Sequence, residues 1–342
     1  MRSPAILRNF LLFLILAILP AGAKQVEWKI KEHRGNKYVP LSQVKEFYNL
    51  TSMTRSGSNI VLKNSALTLK FRTGGQEVLM NEVKFIFSHA IVALGEYHMS
   101  VTDLLKVVDP VLRPHKIEGA KAFDTVIVDP GHGGRDAGAV NSLGTEAGYN
   151  LIVARQVRDR LQKRGFKVVM TRNSDVFLTL QQRVTLANKY KNAIFVSIHF
   201  NSAGSTGRSR ARGIETFTLS PVGVAHYGRS LKSSDLVPRR GNSQDSANIA
   251  LATAVHWTSL LRLNENAKMN IPDRGVRRAR YSVLTGVKHP AILFEGGFLS
   301  HPKEKYLIHT KTYQTTLANA IGDAIYTYRQ ATLGKNKTAQ KK

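Results

Sequence analysis

The sequence predicts an α/β fold, a mostly parallel sheet flanked by helices, preceded by a small α+β domain. Three observations predict it. From residue 123 onward, apolar strand-like runs alternate with stretches whose apolar residues recur at helical spacing, the pattern of a sheet covered by helices. Before about residue 115 the segments are shorter, mostly β in texture and separated by turn residues. Where the second half begins, "VIVDPGHGGRDAGA" (126–139) ends a buried-strand run in a loop that sets Gly131, Gly133, Gly134 and Gly138 around His132. An ordinary connection needs less backbone freedom than that.

The chain divides as follows. Residues 1–23 carry Arg2 and Arg8, an apolar run "FLLFLILAIL" (10–19) and the small-residue pattern "AGA", and read as a secretory signal peptide ending at Ala23. Ten apolar residues are short for a bilayer span, so the reading is an exported protein with no stable membrane span after cleavage. Its destination is the periplasm, the cell wall or the medium. Residues 24–115 form the small α+β domain, a binding or spacer unit, with strands in "VEWKIK", "NIVLK", "LTLKF" and "EVKFIF". Helices fit 41–49 and 100–112, where Ser100 caps the second and Pro114 follows its end. A linker lies near 113–122, the second domain covers 123–332, and 333–342 is a basic disordered tail.

Within the second domain, "DTVIVD" (124–129) is a buried strand. Residues 146–164 form a helix whose Leu151, Ala154, Val157 and Leu161 share one face, stopped by Gly165. Residues 166–171, 193–200, 213–219 and 291–295 are further strands, and helices fit 179–190, 245–262 and 312–330.

Composition narrows the function. Lys and Arg number 50 against 23 Asp and Glu, a net charge of +27, which attracts a polyanion: nucleic acid, an anionic membrane face or an acidic wall polymer. Export excludes nucleic acid as the partner. The absence of cysteine excludes a disulfide framework and a lipid-modified cysteine.

Three side chains of metal-ligand type sit where strands end or helices begin: His132 after the first strand, Glu146 opening the next helix, and His199 at the end of "AIFVSIHF". Parallel strands deliver their C-terminal ends to one rim. If 124–129 and 193–198 are parallel neighbours, both histidines lie on that rim and the intervening loop folds Glu146 back between them. Two His and one Glu form a common catalytic zinc shell with a fourth position open to water. Singly, each of these residues reads as well as a satisfied histidine or a helix-start carboxylate. Glu295 ends "PAILFE" before two glycines. It reads either as the partner of one of the many arginines or as a general base that takes a proton from water and passes it to a leaving amine. The glycine loop lacks G-x-x-x-x-G-K, and Asp136 stands where G-x-G-x-x-G needs its third glycine, so a nucleotide site is rejected.

Together, "VDPGHGGRDAGA", "TEAGYNL" (145–151), "VSIHFNSA" (196–203) and "FEGGFLSHPKE" (294–304) resemble, in order and spacing, the motifs of the zinc-dependent N-acetylmuramoyl-L-alanine amidases. "DRGVRRARYSVL" (273–284) is similar to the stretch before that family's last strand, and the resemblance covers about 123–330. It implies hydrolysis of the amide between N-acetylmuramic acid and L-alanine of peptidoglycan stem peptides. One zinc ion would be held by His132, Glu146 and His199, with Glu295 as acid/base. Peptidoglycan is the implied partner, and the resemblance admits a protein activator beside it. Asn201 is read either as a substrate contact or as a turn residue. His226, His256, His289, His301 and His309 match no ligand motif and are read as structural or surface. Some relatives carry a helix whose Glu blocks the zinc; here residues 221–244 hold one acid, Asp235, and no such capping helix is expected. Residues 24–115 resemble, in pattern only, the small domain named after the copper amine oxidase N-terminus. That implies a binding or spacer module and no copper. Two other readings remain open: a wall-binding scaffold without turnover, and a zinc carboxypeptidase acting on stem peptides.

Overall fold

The structure, a computed structural model, describes residues 26–117, 123–203, 210–265 and 269–333. The signal peptide read at 1–23, residues 118–122 of the linker and residues 334–342 of the tail lie outside the described residues. The described part forms two compact units, residues 26–117 with 331–333 and, among 123–330, the larger one.

The smaller unit is antiparallel. Lys31–His33, Asn36–Pro40, Val92–Leu94 and Glu96–Ser100 make one small sheet. Ser52–Ser56, Asn59–Lys63, Thr68–Arg72, Glu77–Met80 and Val83–Ile86 form a meander in which each strand pairs with the next. Side chains alternate as a half-covered sheet requires: Ile60, Leu62, Leu69 and Phe71 are buried, with more open residues between them. A helix runs Leu41–Phe47. The helix expected at 100–112 begins as the sequence predicts, with the Asp103 amide donating to Ser100 Oγ at 2.9 Å. It is not continuous, however: Val101–Asp103 leads into a π turn, Leu104–Val108, before Asp109–Leu112. Pro110 has no N–H to give the carbonyl four residues back and its ring crowds that turn, so a regular ladder cannot pass through it.

Elements of the larger unit are numbered from its own start. Strand β1 (Thr125–Pro130) leads through a loop and a two-residue ladder (Val140–Asn141 with Gly144–Thr145) into helix α1 (Glu146–Gln162). Then come β2 (Lys167–Met170), α2 (Leu180–Asn188), β3 (Ala193–Asn201), β4 (Ile214–Leu219) and α3 (Asp245–Glu265). The chain continues as β5 (Asp273–Ala279), α4 (Ser282–Gly286), β6 (Ala291–Phe298), α5 (Glu304–His309) and α6 (Lys311–Thr332). The strands lie side by side in the order β2-β1-β3-β6-β4-β5. All of these neighbours are parallel except β6 and β4.

Covered on both faces, the central strands are apolar over most of their length, as a parallel sheet demands. Val126, Ile127, Val128, Ile194, Phe195, Val196, Ile292 and Phe294 are fully buried. Helices α2 and α4 pack over Ile127, Phe195, Phe217 and Leu293. Helix α1 lays Ala154, Val157 and Leu161 against β1, β2 and β3, and α3 covers β4, β5 and β6. Strand β5 and the short helices α4 and α5 were not expected from the sequence. "DRGVRRA" shows neither an apolar run nor clean alternation, because its arginines reach out to acidic partners.

Register places the rim. Parallel pairing sets Asp129 beside Ser197 and Pro130 beside Ile198, and on the next strand His199 beside Glu295. At the end of β1, Asp129 is 1% exposed. It accepts from Thr171 Oγ1 at 2.6 Å, Ser197 Oγ at 2.8 Å and Arg183 Nη1 at 2.7 Å. No described helix is long and apolar enough to cross a membrane.

Removing the carboxylate strands a buried guanidinium, so Asp129→Ala is expected to lower unfolding free energy by about 3–5 kcal/mol, measured by urea titration.

Candidate active site

His132 follows β1 in a left-handed backbone conformation (φ +58°), uncommon for a residue with a side chain. From there the loop returns through the two-residue ladder, and Thr145 caps α1 by accepting the Gly148 amide at 3.2 Å. Glu146 is therefore the first helical residue, its own amide bonded to the Ala139 carbonyl at 2.7 Å. His199 lies within β3. The parallel pairing of β1 with β3 on which the sequence argument turned is present.

The three side chains converge. Glu146 Oε1 lies 3.1 Å from His132 Nε2 and 2.9 Å from His199 Nδ1. Its other oxygen accepts the Ala139 amide at 2.9 Å. One ligand-type atom from each of the three falls within 4.8 Å of the others, and among the described residues this is the one such group. Two nitrogens and an oxygen, each on a separate side chain, fit the borderline-soft zinc ion. His132 Nδ1 faces Asp136 Oδ2 at 2.9 Å, an orienting contact that leaves Nε2 toward the cluster. Asp136 was not singled out from the sequence; a carboxylate four residues beyond a ligand histidine, inside the same tight loop, was the available signal.

Electrostatics support the grouping. Burial opposes charge at both Glu146 and His132. Even so, hydrogen bonds and charges of His132 and His199 hold the Glu146 carboxyl well below its usual range. Likewise Glu146 and Asp136 hold the His132 imidazole above its usual value despite burial.

Glu295 stands in β6, paired with His199 on one side and Glu215 of β4 on the other. Its Oε2 is buried and has no hydrogen-bond partner. Burial, then the charges of Glu146 and Glu215, push its carboxyl well above the usual range. No described arginine pairs with it. The neighbouring guanidinium groups go to Glu215 instead, Arg274 at 3.1 Å and Arg277 at 3.2 Å. Asn201 joins the same carboxylate, donating to Glu215 Oε1 at 2.6 Å, while its own oxygen accepts the Ser202 amide at 2.7 Å. Both ends of the Asn201 amide are thus engaged within the chain.

A cavity of about 630 Å³ opens at the two histidines and Glu295. His132, His199 and Glu295 supply its polar side, and Phe177, Leu180 and Tyr281 its apolar side. Two glycines permit the close approach. A Cβ on Gly131 would sit 2.1 Å from a ring atom of His199, and one on Gly138 (φ +65°) would sit 2.6 Å from Glu146 Oε2.

The remaining histidines take other partners: His256 lies between Thr216 and Asp273, His226 accepts the Arg280 amide, and His309 meets Tyr149. In the stretch 221–244, Asp235 is 1% exposed and engaged by Arg229 and Arg280. The segment's acid is thus committed to holding its own turns beside β5.

Two outcomes follow from this geometry. Gly131→Ala is expected to weaken Zn²⁺ affinity by roughly 10-fold or more, read by competition with a chromophoric chelator. Glu295→Gln is expected to raise the melting temperature of chelator-treated protein. Because the folded carboxyl titrates above its unfolded value of about 4.3, the native state holds a proton that the unfolded state releases. Wild-type stability therefore falls as pH rises from that value through the raised one, and the glutamine variant escapes the fall. The gap in melting temperature should be small near pH 4 and widen toward neutrality.

Comparison with known proteins gives the family. The model of the N-acetylmuramoyl-L-alanine amidase family matches residues 126–327. The amidase AmiC of Escherichia coli O6:H1 is 33% identical over 221 residues, covering 59% of this chain and 52% of that protein. AmiC of Neisseria meningitidis serogroup B is 30% identical over 219 residues, with 59% and 52% covered. The chain thus spans about half the length of these curated relatives. Among solved structures, the amidase AmiC2 of Nostoc punctiforme aligns with a TM-score of 0.49 and 30% identity, covering 62% of this chain and 99% of that one. With its ordered motifs assembled on one rim and more than half its length matched, this chain belongs to the N-acetylmuramoyl-L-alanine amidase family.

Proposed function

We propose that this protein is an exported zinc amidase that hydrolyses the bond between the lactyl carbonyl of N-acetylmuramic acid and the L-alanine nitrogen of peptidoglycan stem peptides. The observation that carries the reading is the meeting of His132, Glu146 and His199 beside a cavity that both histidines share with a buried carboxyl, Glu295, whose Oε2 has no partner. His132 Nε2, Glu146 Oε1 and His199 Nδ1 would hold the ion. When bound, zinc polarises a carbonyl and lowers the pKa of water.

The chain's own residues do the rest. Asp136 fixes the His132 tautomer so that Nε2 carries a lone pair. Glu295 acts as general base and then general acid: it takes a proton from water as the oxygen adds to the lactyl carbonyl carbon. It returns that proton to the alanine nitrogen as the C–N bond breaks, leaving a lactyl carboxylic acid, which gives up its proton to solvent, and a free amine. A carboxyl raised by burial and by neighbouring charge suits both steps, being basic enough to accept and acidic enough to give. The apolar wall of Phe177, Leu180 and Tyr281 keeps competing water from that side of the cavity.

The charge of +27 fits a substrate whose peptides carry carboxylates, and binding should weaken as salt rises. The smaller unit serves as a binding or spacer module in this reading, and a protein activator is an admissible further partner.

Digesting purified peptidoglycan with zinc-loaded protein, followed by mass analysis of the soluble products, tests the proposal. Intact stem peptides with a free L-alanine amino group are expected, with turnover reduced by about 10²–10⁴-fold in Glu295→Gln. Wall binding without release, alone or with added cell extract, would favour a scaffold. Shortened peptides still attached to sugar would mean a carboxypeptidase.

A further inference from the structure

We propose that Arg183 and Arg172 are positioning residues for the metal ligands, a role that rests on the reading of His132, Glu146 and His199 as the zinc site. The loop that carries His132 is not held by a regular ladder. Its carbonyls are held by two guanidinium groups instead. Arg183 Nη2 donates to the His132 carbonyl at 2.7 Å, and its Nη1 to the Pro130 carbonyl at 2.8 Å. Arg172 Nε donates to Pro130 at 2.9 Å, and Arg172 Nη2 to Gly131 at 2.8 Å. Every carbonyl from 130 to 132 therefore accepts from an arginine.

Arg172 does more than pin one loop. The same Nη2 donates to the Ala147 carbonyl at 2.9 Å, one residue beyond Glu146. A single guanidinium nitrogen thus ties the loop bearing the first ligand to the helical turn bearing the second. Asn150 Nδ2 adds a third tie, to the Gly131 carbonyl at 3.1 Å. Both arginines are 3% exposed. Arg183 shares the carboxylate of Asp129, but Arg172 forms no salt bridge within the described residues, and its hydrogen bonds all go to backbone carbonyls. Burying a cation against carbonyls alone adds little to folding. What a guanidinium supplies there is a planar fork of donors in fixed directions.

The fork matters because His132 is left-handed. Released, that residue would relax to the extended or helical backbone that a side chain prefers, and the imidazole would swing off Glu146. Holding the carbonyl of His132 itself blocks the peptide rotation that such relaxation needs.

Lysine at either position keeps the charge but gives one ammonium in place of the fork. The test uses the full chain, with Zn²⁺ affinity measured by chelator competition and melting temperature recorded on metal-free protein. Arg183→Lys and Arg172→Lys are compared with His132→Ala and with Leu260→Ala, a core truncation in α3 that lowers stability without touching the loop. The expected result is Zn²⁺ affinity weakened by about 10–100-fold in both lysine variants, with Leu260→Ala binding as wild type at an equal or lower melting temperature. Wild-type affinity in the lysine variants while His132→Ala loses binding would overturn the positioning role and leave the zinc site standing. So would affinity losses that simply track melting temperature across all variants, Leu260→Ala included. Wild-type affinity in His132→Ala would overturn the ligand reading and this inference with it. Should a lysine variant fail to fold, Asn150→Leu decides: weaker affinity at unchanged melting temperature supports the tie, and wild-type affinity overturns it.

Discussion

The larger unit is organised around one carboxylate oxygen placed between two imidazoles. Glu146 Oε1 can lie about 3 Å from both His132 and His199 only if three separate pieces of chain reach the same point. Parallel pairing of β1 and β3 brings the two histidines to one rim. The Thr145 cap starts α1 where its first side chain turns back toward them. Gly131 and Gly138 remove the side chains that would otherwise fill the meeting place. None of these features does much for stability by itself. Together they keep a buried carboxylate poised between nitrogen donors, at a site a cation can enter.

Two neighbouring carboxylates show how the same strands produce opposite chemistry. Antiparallel pairing of β4 and β6 sets Glu215 directly across from Glu295. Glu215 is given Arg274, Arg277 and the Asn201 amide, a partnered charge that stays where it is. Glu295 receives no arginine and keeps one oxygen free, so burial and the two nearby carboxylates raise its pKa. In a chain with 50 basic side chains, leaving Glu295 without one goes with the commitment of the nearby guanidinium groups to Glu215. Asn201 adds a further hydrogen bond to Glu215.

What could be read from the sequence, and what could not, follows from where the information resides. His132, Glu146, His199 and Glu295 stood out as candidates because each sits where a local pattern starts or stops: His132 among glycines, Glu146 opening a helix, His199 and Glu295 near the ends of apolar runs. The parallel strands were legible for the same reason, their apolar runs being too short for helices and too continuous for surface. Arg172 and Arg183 were not, because in a strongly basic chain an arginine on a helix or after a strand looks like solvated surface. Their burial depends on which carbonyls they meet, and that is a tertiary fact. Strand β5 was hidden for a related reason, since Arg274 and Arg277 make it look polar while serving Glu215 on the adjacent strand. In the smaller unit, the stretch 100–112 read as one helix because Pro114 was weighed as its ending and Pro110, which acts within the segment as a local distortion, was not weighed.

The distribution of charge argues for a cation at the cluster independently of any family likeness. Excess positive charge on the surface is screened within about 8–10 Å and does little for a buried acid. Glu146 and Glu295 are both buried and repel each other, and the arginines nearest to them are bound to Glu215, Asp129 or backbone carbonyls. Without a cation, burial and the charges of Glu146 and Glu215 favour a proton on Glu295, and Glu146 and Asp136 favour one on His132. A divalent ion held by His132, Glu146 and His199 would replace those protons, so binding should release them and stabilise the fold by linkage. The unpaired acid across from the ion would then be free to ionise. The same arrangement that makes the metal-free site unfavourable is what would give Glu295 its place in the proton transfer.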